Sequence, residues 1–186
     1  MNHLGTQRLE TNRMILRPFS VEDAPAMYRN WASDPEVTRF LTWPPHASID
    51  VTEFVVRDWV SHYSEPEYYQ WAMELKSIGE AVGSIAVVSS QAEGKLSIAE
   101  VGYCLGKAWW GQGLMPEAAT AVRDFLFDRV GYDCIQAGHD VNNPKSGRVM
   151  QKAGMTRAGI LRHSGLNNQG LADIVRYDML STDPRP

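Results

Sequence analysis

Apolar residues recur along this chain at two spacings, and the switches between the two mark its elements. Met14 and Leu16 alternate with Arg13, Ile15 and Arg17, which predicts a first strand from Thr11 to Pro18. Ser20-Val21-Glu22-Asp23 has the form of a capping box, and Ala24, Met27, Tyr28 and Trp31 carry a helix from it to about Ser33. A loop rich in prolines and aromatics follows (Asp34, Pro35, Phe40, Trp43, Pro44, Pro45, His46). Ser48 or Asp50 then caps a second helix bearing Val51, Phe54, Val55 and Trp59. Tyr69, Trp71, Met73 and Leu75 alternate, the pattern of a strand with one buried face. Ser77 to Glu80 turns the chain, Ala81 to Ser89 is the next strand, and Gln91 to Lys95 turns again into a strand ending at Leu105. Three strands joined by short turns predict an antiparallel meander.

In the last of these strands Val101, Tyr103 and Leu105 lie on one face and Gly102 and Cys104 on the other. The strand breaks at Gly106, two glycines (Gly111 and Gly113) flank Gln112, and a helix begins. Pro116 suits its first position, where a missing N–H does no harm, and Glu117 suits the positive end of the dipole. Ala118, Ala119, Val122, Phe125 and Leu126 give that helix an apolar stripe to about Arg129. Cys134 to Val141 reads as a strand, and Asn143-Pro144 opens a short helix bearing Val149, Met150 and Ala153, with Gly154 at its end. A hairpin from Thr156 to Leu180 turns at Asn167-Asn168-Gln169-Gly170. The predicted order is β-α-α-β-β-β-α-β-α-β-β, an α/β (α+β) chain.

Composition narrows the function classes. The 186 residues are expected to form one domain over the whole chain, 1–186, and 44% hydrophobic with 22% charged residues is ordinary globular usage. No apolar run approaches a membrane span and the N-terminus lacks a signal-peptide core, so a cytoplasmic location without a membrane partner is expected. Cys104 and Cys134 are too few for a disulfide framework and read as buried free thiols. A net charge of −4 with no basic block argues against a nucleic-acid surface and permits a cationic acceptor.

A strand, a glycine-bearing turn and a helix N-terminus make a concave row of amide N–H groups backed by a dipole, which is a cradle for phosphate. The same pattern also serves an ordinary strand-to-helix connection. Trp110-Gly111-Gln112-Gly113-Leu114-Met115 resembles the pyrophosphate loop of the GNAT superfamily of acetyl-CoA-dependent N-acyltransferases, [RQ]-x-x-G-x-[GA]. Its first and last positions depart from that pattern and are similar instead to the Rim-type branch, the ribosomal-protein N-terminal acetyltransferases and their relatives. The order of elements matches the GNAT fold with its mixed central sheet. The resemblance implies acetyl-CoA as cofactor, its diphosphate on Trp110 to Met115 and its pantetheine along the backbone of Tyr103, Cys104 and Leu105.

Asn143 to Met155 is similar to a second GNAT segment, N-x-x-S-x-x-[VL]-[LM]-x-K-x-G-[FM], matching at Asn143, Ser146, Val149, Met150, Lys152, Gly154 and Met155. By that likeness Asn143 touches the pantetheine, and Ser146 gives a proton to the leaving thiolate. Asn before Pro is equally a good helix cap, and Ser146 equally a solvated helix residue. Many GNAT enzymes use a tyrosine acid, but none follows Asn143 closely here. By likeness to GNAT relatives, which carry an acidic base on this strand a few residues before the phosphate loop, Glu100 is the candidate base, expected to sit among hydrophobic strand partners; the competing reading is a strand-edge ion pair. His139 is the rival base, and His46 and His163 have weaker claims. The strand carrying Glu100 is expected to bulge, freeing a backbone N–H to polarise a carbonyl. Trp43, Pro45 and His46 form a candidate wall of the acceptor pocket, or else a lid folded on the core.

No Ser-His-Asp order, activated cysteine or metal-spaced ligand set appears, so neither a covalent nor a metal-dependent mechanism is expected. The reading is an N-acetyltransferase acting on a protein N-terminus or a small amine by direct transfer in a ternary complex, with a second copy of the chain, as a homodimer, a candidate partner. The alternative is a catalytically silent acyl-CoA sensor or interaction module.

Overall fold

Met14 and Leu16 are fully buried, as their alternation predicts. They lie on β2 (Met14–Arg17), which pairs antiparallel with the two-residue β1 (Leu9–Glu10) and, along its other edge, with β3 (Gln70–Leu75). β3, β4 (Glu80–Glu93) and β5 (Leu96–Leu105) form the antiparallel meander. This computed structural model describes residues 1–94 and 96–186. β4 runs on through the expected turn at Gln91 and ends against Gly94, whose φ of +61° suits glycine; Lys95, the last residue of that expected turn, lies outside the described residues.

β3 departs from the one-faced pattern: Gln70 to Met73 are all buried. Helices cover both of its faces. On one side stand α1 (Ala24–Met27), flanked by a 3-10 turn at Val21–Asp23 and a wider π-type turn at Tyr28–Ala32, and α3 (Ile49–Ser61). The capping box forms, with the Ser20 N–H donating to Asp23 Oδ2 at 2.8 Å. The loop between contains α2 (Pro35–Thr38), which the sequence pattern did not predict; Asp34 caps it by accepting from the Glu36 N–H. Val55 and Trp59 of α3 pack on the core as their spacing predicts, whereas Val51 and Phe54 are exposed. Thr52 and Val56 are fully buried while Phe54 is 74% exposed, because the Thr52 hydroxyl is joined to His46 Nδ1 at 2.8 Å and faces the loop.

The other face of the sheet carries α4 (Leu114–Phe125), extended by a π-type turn at Leu126–Val130, and α5 (Pro144–Lys152). α4 starts two residues before the expected Pro116: Gly113 is its cap, and Leu114 and Met115 are already helical and buried. Proline is tolerated there because first-turn N–H groups have no helical acceptor anyway. β6 (Cys134–Asp140), β7 (Thr156–Asn167) and β8 (Gly170–Leu180) complete one mixed sheet, ordered β1-β2-β3-β4-β5-β6-β8-β7. Cys104 and Cys134 are free thiols and only partly buried. No helix among the described residues is long and apolar enough to cross a membrane.

β6 is the strand that runs parallel to its neighbour β5, and the two stay paired over only three positions, Ile98, Ala99 and Glu100 against Cys134, Ile135 and Gln136. Beyond Glu100 they diverge. The fork so formed positions the site.

Candidate active site

From Val101 to Leu105 the edge of β5 facing β6 is unpaired, while its other edge stays bonded to β4. The expected bulge exists, but on the neighbouring strand: Val87 opposes Val101 and Ser89 opposes Glu100, leaving Val88 as the extra residue of β4. Gly102 makes this possible, since a Cβ there would come within 2.8 Å of Val88 Cγ1. Val101, Tyr103, Ile135, Ala137 and Met150 line the root of the fork around an apolar cavity of about 20 Å³.

At the mouth of the fork Gly111 and Gly113 adopt φ of +75° and +78°, which turn the chain into α4. Among the described residues nothing accepts from the N–H groups of Gly111, Gln112, Gly113, Leu114 or Met115. Trp110 does not belong to that row, because its amide already donates to the Lys107 carbonyl at 3.2 Å. Its indole N–H donates to the Leu105 carbonyl at 2.7 Å, which ties the loop to the end of β5 and occupies that backbone group. Arg13 braces the loop from behind. Its Nη1 donates to the Gln112 carbonyl at 2.8 Å, and its Nη2 pairs with Glu117 at 2.7 Å. Burial works to raise the Glu117 carboxyl, but hydrogen bonds from Thr11 and Arg13 and the charge of Arg13 hold it below the usual glutamate range. Lys145, which no sequence motif singled out, lies with its Nζ 5.4 Å from the centre of the Trp110 ring and adds positive charge across the mouth.

α5 forms the second wall. Asn143 caps it by backbone position alone; its side chain makes no cap bond and is free for a ligand. Ser146 meets a residue the sequence had assigned only through its backbone, Tyr103, whose hydroxyl donates to the Ser146 carbonyl at 3.0 Å. The phenol has one proton, so the Ser146 hydroxyl, also 3.0 Å away, donates its own to the Tyr103 oxygen. Burial pushes the Tyr103 phenol well above its ordinary value, so it stays protonated. The strand alternation that put Tyr103 on the Val101 and Leu105 face was the available signal, because that face looks toward α4 and α5.

Glu100 points to the opposite face of the sheet from Tyr103. It is not enclosed by apolar neighbours as expected but forms an ion pair with Arg176 of β8. His139 lies on the α5 side. Its Nδ1 donates to the Asp140 carbonyl at 2.7 Å, and a Cβ on Gly147 would come within 2.5 Å of its Nε2. It faces a separate pocket of about 240 Å³ on the far flank of α5, so the fork brings Ser146 and Tyr103 together and leaves His139 out.

On the Glu100 side the tip of the β7–β8 hairpin docks on the proline-rich loop: Asn168 Nδ2 donates to the carbonyls of Thr38 and Trp43 at 2.9 and 2.8 Å. Pro45 is exposed, while Trp43 is half-buried and packs against the core cluster under α1 and α3, as a lid folded on the core would. His46 is turned inward onto Thr52 and serves the loop's own packing instead. His163, with φ of +48°, sits in an irregular stretch of β7.

Five successive unpartnered amides, a helix dipole and a facing lysine suit a diphosphate, and the unpaired edge of β5 suits an extended arm with amide groups. That is the binding arrangement of an acyl-CoA-dependent transferase. Residues 13–156 match the acetyltransferase (GNAT) domain, and the chain belongs to this family. It is 25% identical over 178 residues to the uncharacterized N-acetyltransferase p20 of Bacillus licheniformis, covering 95% of this chain and 98% of that one. The uncharacterized N-acetyltransferase YoaA of Bacillus subtilis is 29% identical over 154 residues, 83% and 85% of the two chains. RimL, a ribosomal L7/L12 α-N-protein acetyltransferase in complex with coenzyme A, shares the fold, with a TM-score of 0.82 at 18% identity over 95% of this chain and 100% of that one. The protein is an N-acetyltransferase that uses acetyl-CoA as acetyl donor to an amine.

Proposed function

We propose that transfer is direct, in a ternary complex at the β5–β6 fork, with Glu100 as base and the Ser146–Tyr103 hydroxyl pair as acid. One observation carries this reading: the free amides of Gly111 to Met115 open onto a gap with Glu100 on one face and Ser146 on the other. When bound, acetyl-CoA supplies a thioester whose acyl carbon an amine can attack. The amine comes from the Glu100 side, and Glu100 takes its proton. A backbone N–H on the free edge of β5 polarises the acyl oxygen. On the other face Ser146 gives its proton to the departing sulfur, and Tyr103 stands behind it as the next donor. Asn143 holds the pantetheine with its uncommitted amide. Holding both reactants in one gap supplies much of the acceleration. The acceptor is a protein N-terminus or a small amine in the cytoplasm, passing between the Trp43–Pro45 loop and the β7–β8 hairpin.

A free-thiol release assay over a panel of amines and N-terminal peptides tests the reading. Acceptor-dependent thiol release is expected, and Glu100→Gln is expected to lower kcat by about 100-fold with coenzyme A affinity kept. Tight coenzyme A binding with no release above hydrolysis would instead make the protein a sensor. An unchanged kcat and pH–rate profile in Glu100→Gln would remove Glu100 as base.

A further inference from the structure

The Glu100–Arg176 pair stands on the face of the sheet away from α4 and α5, with its side chains 33% and 29% exposed. Arg176 lies opposite Gly138 of β6 and spans that strand to reach Glu100 on β5. Gly138 leaves it room, since a Cβ there would sit 3.3 Å from both Cδ and Nη1 of Arg176. Among the described residues only Nη1 of the guanidinium has an acceptor; Nε and Nη2 have none. Leu161 and Ile174, paired across β7 and β8, flank it on the same face.

We infer that Arg176 reads the acceptor, selecting amines that carry a carbonyl or carboxylate oxygen on the carbon beside the amine-bearing carbon. Plain alkylamines and polyamines are disfavoured. This rests on the proposed approach of the amine to Glu100. An arriving ammonium takes the place of Arg176 against the carboxylate. If it is a plain alkylammonium, the guanidinium loses its counter-charge and faces a second cation at short range; a polyamine brings further positive charge. An α-aminoacyl group balances the exchange: its ammonium goes to Glu100, and its oxygen accepts from the free fork of Arg176. The shared chemistry is that of a free α-amino acid and of a peptide N-terminus.

Calorimetric titration of the protein saturated with coenzyme A, using alanine, alaninamide, trialanine, propylamine and putrescine, tests this without turnover. Alaninamide and either alanine or trialanine are expected to bind at least about tenfold tighter than the two plain amines. Tighter binding of alanine than of trialanine identifies a free amino acid as the source; the reverse identifies a chain terminus. Arg176→Met should erase the ratio and Arg176→Lys recover part of it. Equal binding of propylamine by the wild-type protein, absence of binding by any of the five, or a ratio that survives in a folded Arg176→Met, overturns the inference. The wild-type ratio needs no variant, so a misfolded Arg176→Met does not rescue it. Failure of thiol release with every amine would sink the acyl-transfer reading, while the binding ratio stands or falls separately.

Discussion

His46 shows how one buried side chain couples the proline-rich loop to pH. Burial lowers its pKa from the ordinary 6.5, and its ring is committed to Thr52. The unfolded chain therefore binds the proton more readily than the folded one. The stability His46 contributes is present above about pH 6.5 and is lost as pH falls toward the depressed folded value. His62 works in the opposite sense: the hydrogen bond and charge of Glu65, with Asp58, raise its pKa. Its contribution is present below pH 6.5 and fades above. The effect of His46 is thus read as a difference between proteins. His46→Gln keeps a partner for Thr52 without a titrating ring, so its melting temperature should fall less than that of the wild type between pH 7.5 and 5.5. Equal falls would show that folding does not shift the His46 pKa. Single residues were also the least legible scale. Nothing near Glu100 in sequence announces Arg176, 76 positions away, because the contact depends on β8 returning beside β6. His46 beside Trp43 read as a pocket wall, and only the fold reveals Thr52 behind it.

The elements were legible where the pattern and the packing agreed. Val101, Tyr103 and Leu105 alternate in sequence, and their face does look toward α4 and α5. β1 and α2, with two and four residues, are too short to show a period of their own. The stripe of α3 was half legible: Val55 and Trp59 pack inward, but the burial of Thr52 depends on its tertiary contact with His46. The start of α4 was misplaced because proline fits anywhere in a first turn, whereas the positive φ of Gly113 fixes the true cap. Gly113→Val forces a β-branched residue into that conformation, at about 1–2 kcal/mol of strain for the left-handed backbone. The row of free amides should be displaced. Coenzyme A is expected to bind at least about tenfold more weakly, a change that calorimetry resolves. An unchanged dissociation constant would mean that the diphosphate does not rest on this loop.

At the scale of the whole molecule the sheet is built to leave a gap. β5 and β6 share three paired positions and then part, with α1 and α3 on one face and α4 and α5 on the other. Glu100 and Ser146 consequently lie on opposite faces of the sheet at the gap, which under the proposed mechanism lets donor and acceptor enter from opposite sides. The order of elements made this fold readable through its resemblance to the GNAT pattern. The sidedness was not readable, since it follows from which strand pairs break. The most direct test is a crystal structure of the protein with coenzyme A bound. The diphosphate oxygens should lie about 3 Å from the amides of Gly111 to Met115, with the pantetheine between β5 and β6 and the sulfur between Ser146 and Glu100. A diphosphate bound elsewhere, or a sulfur outside the fork, would contradict it.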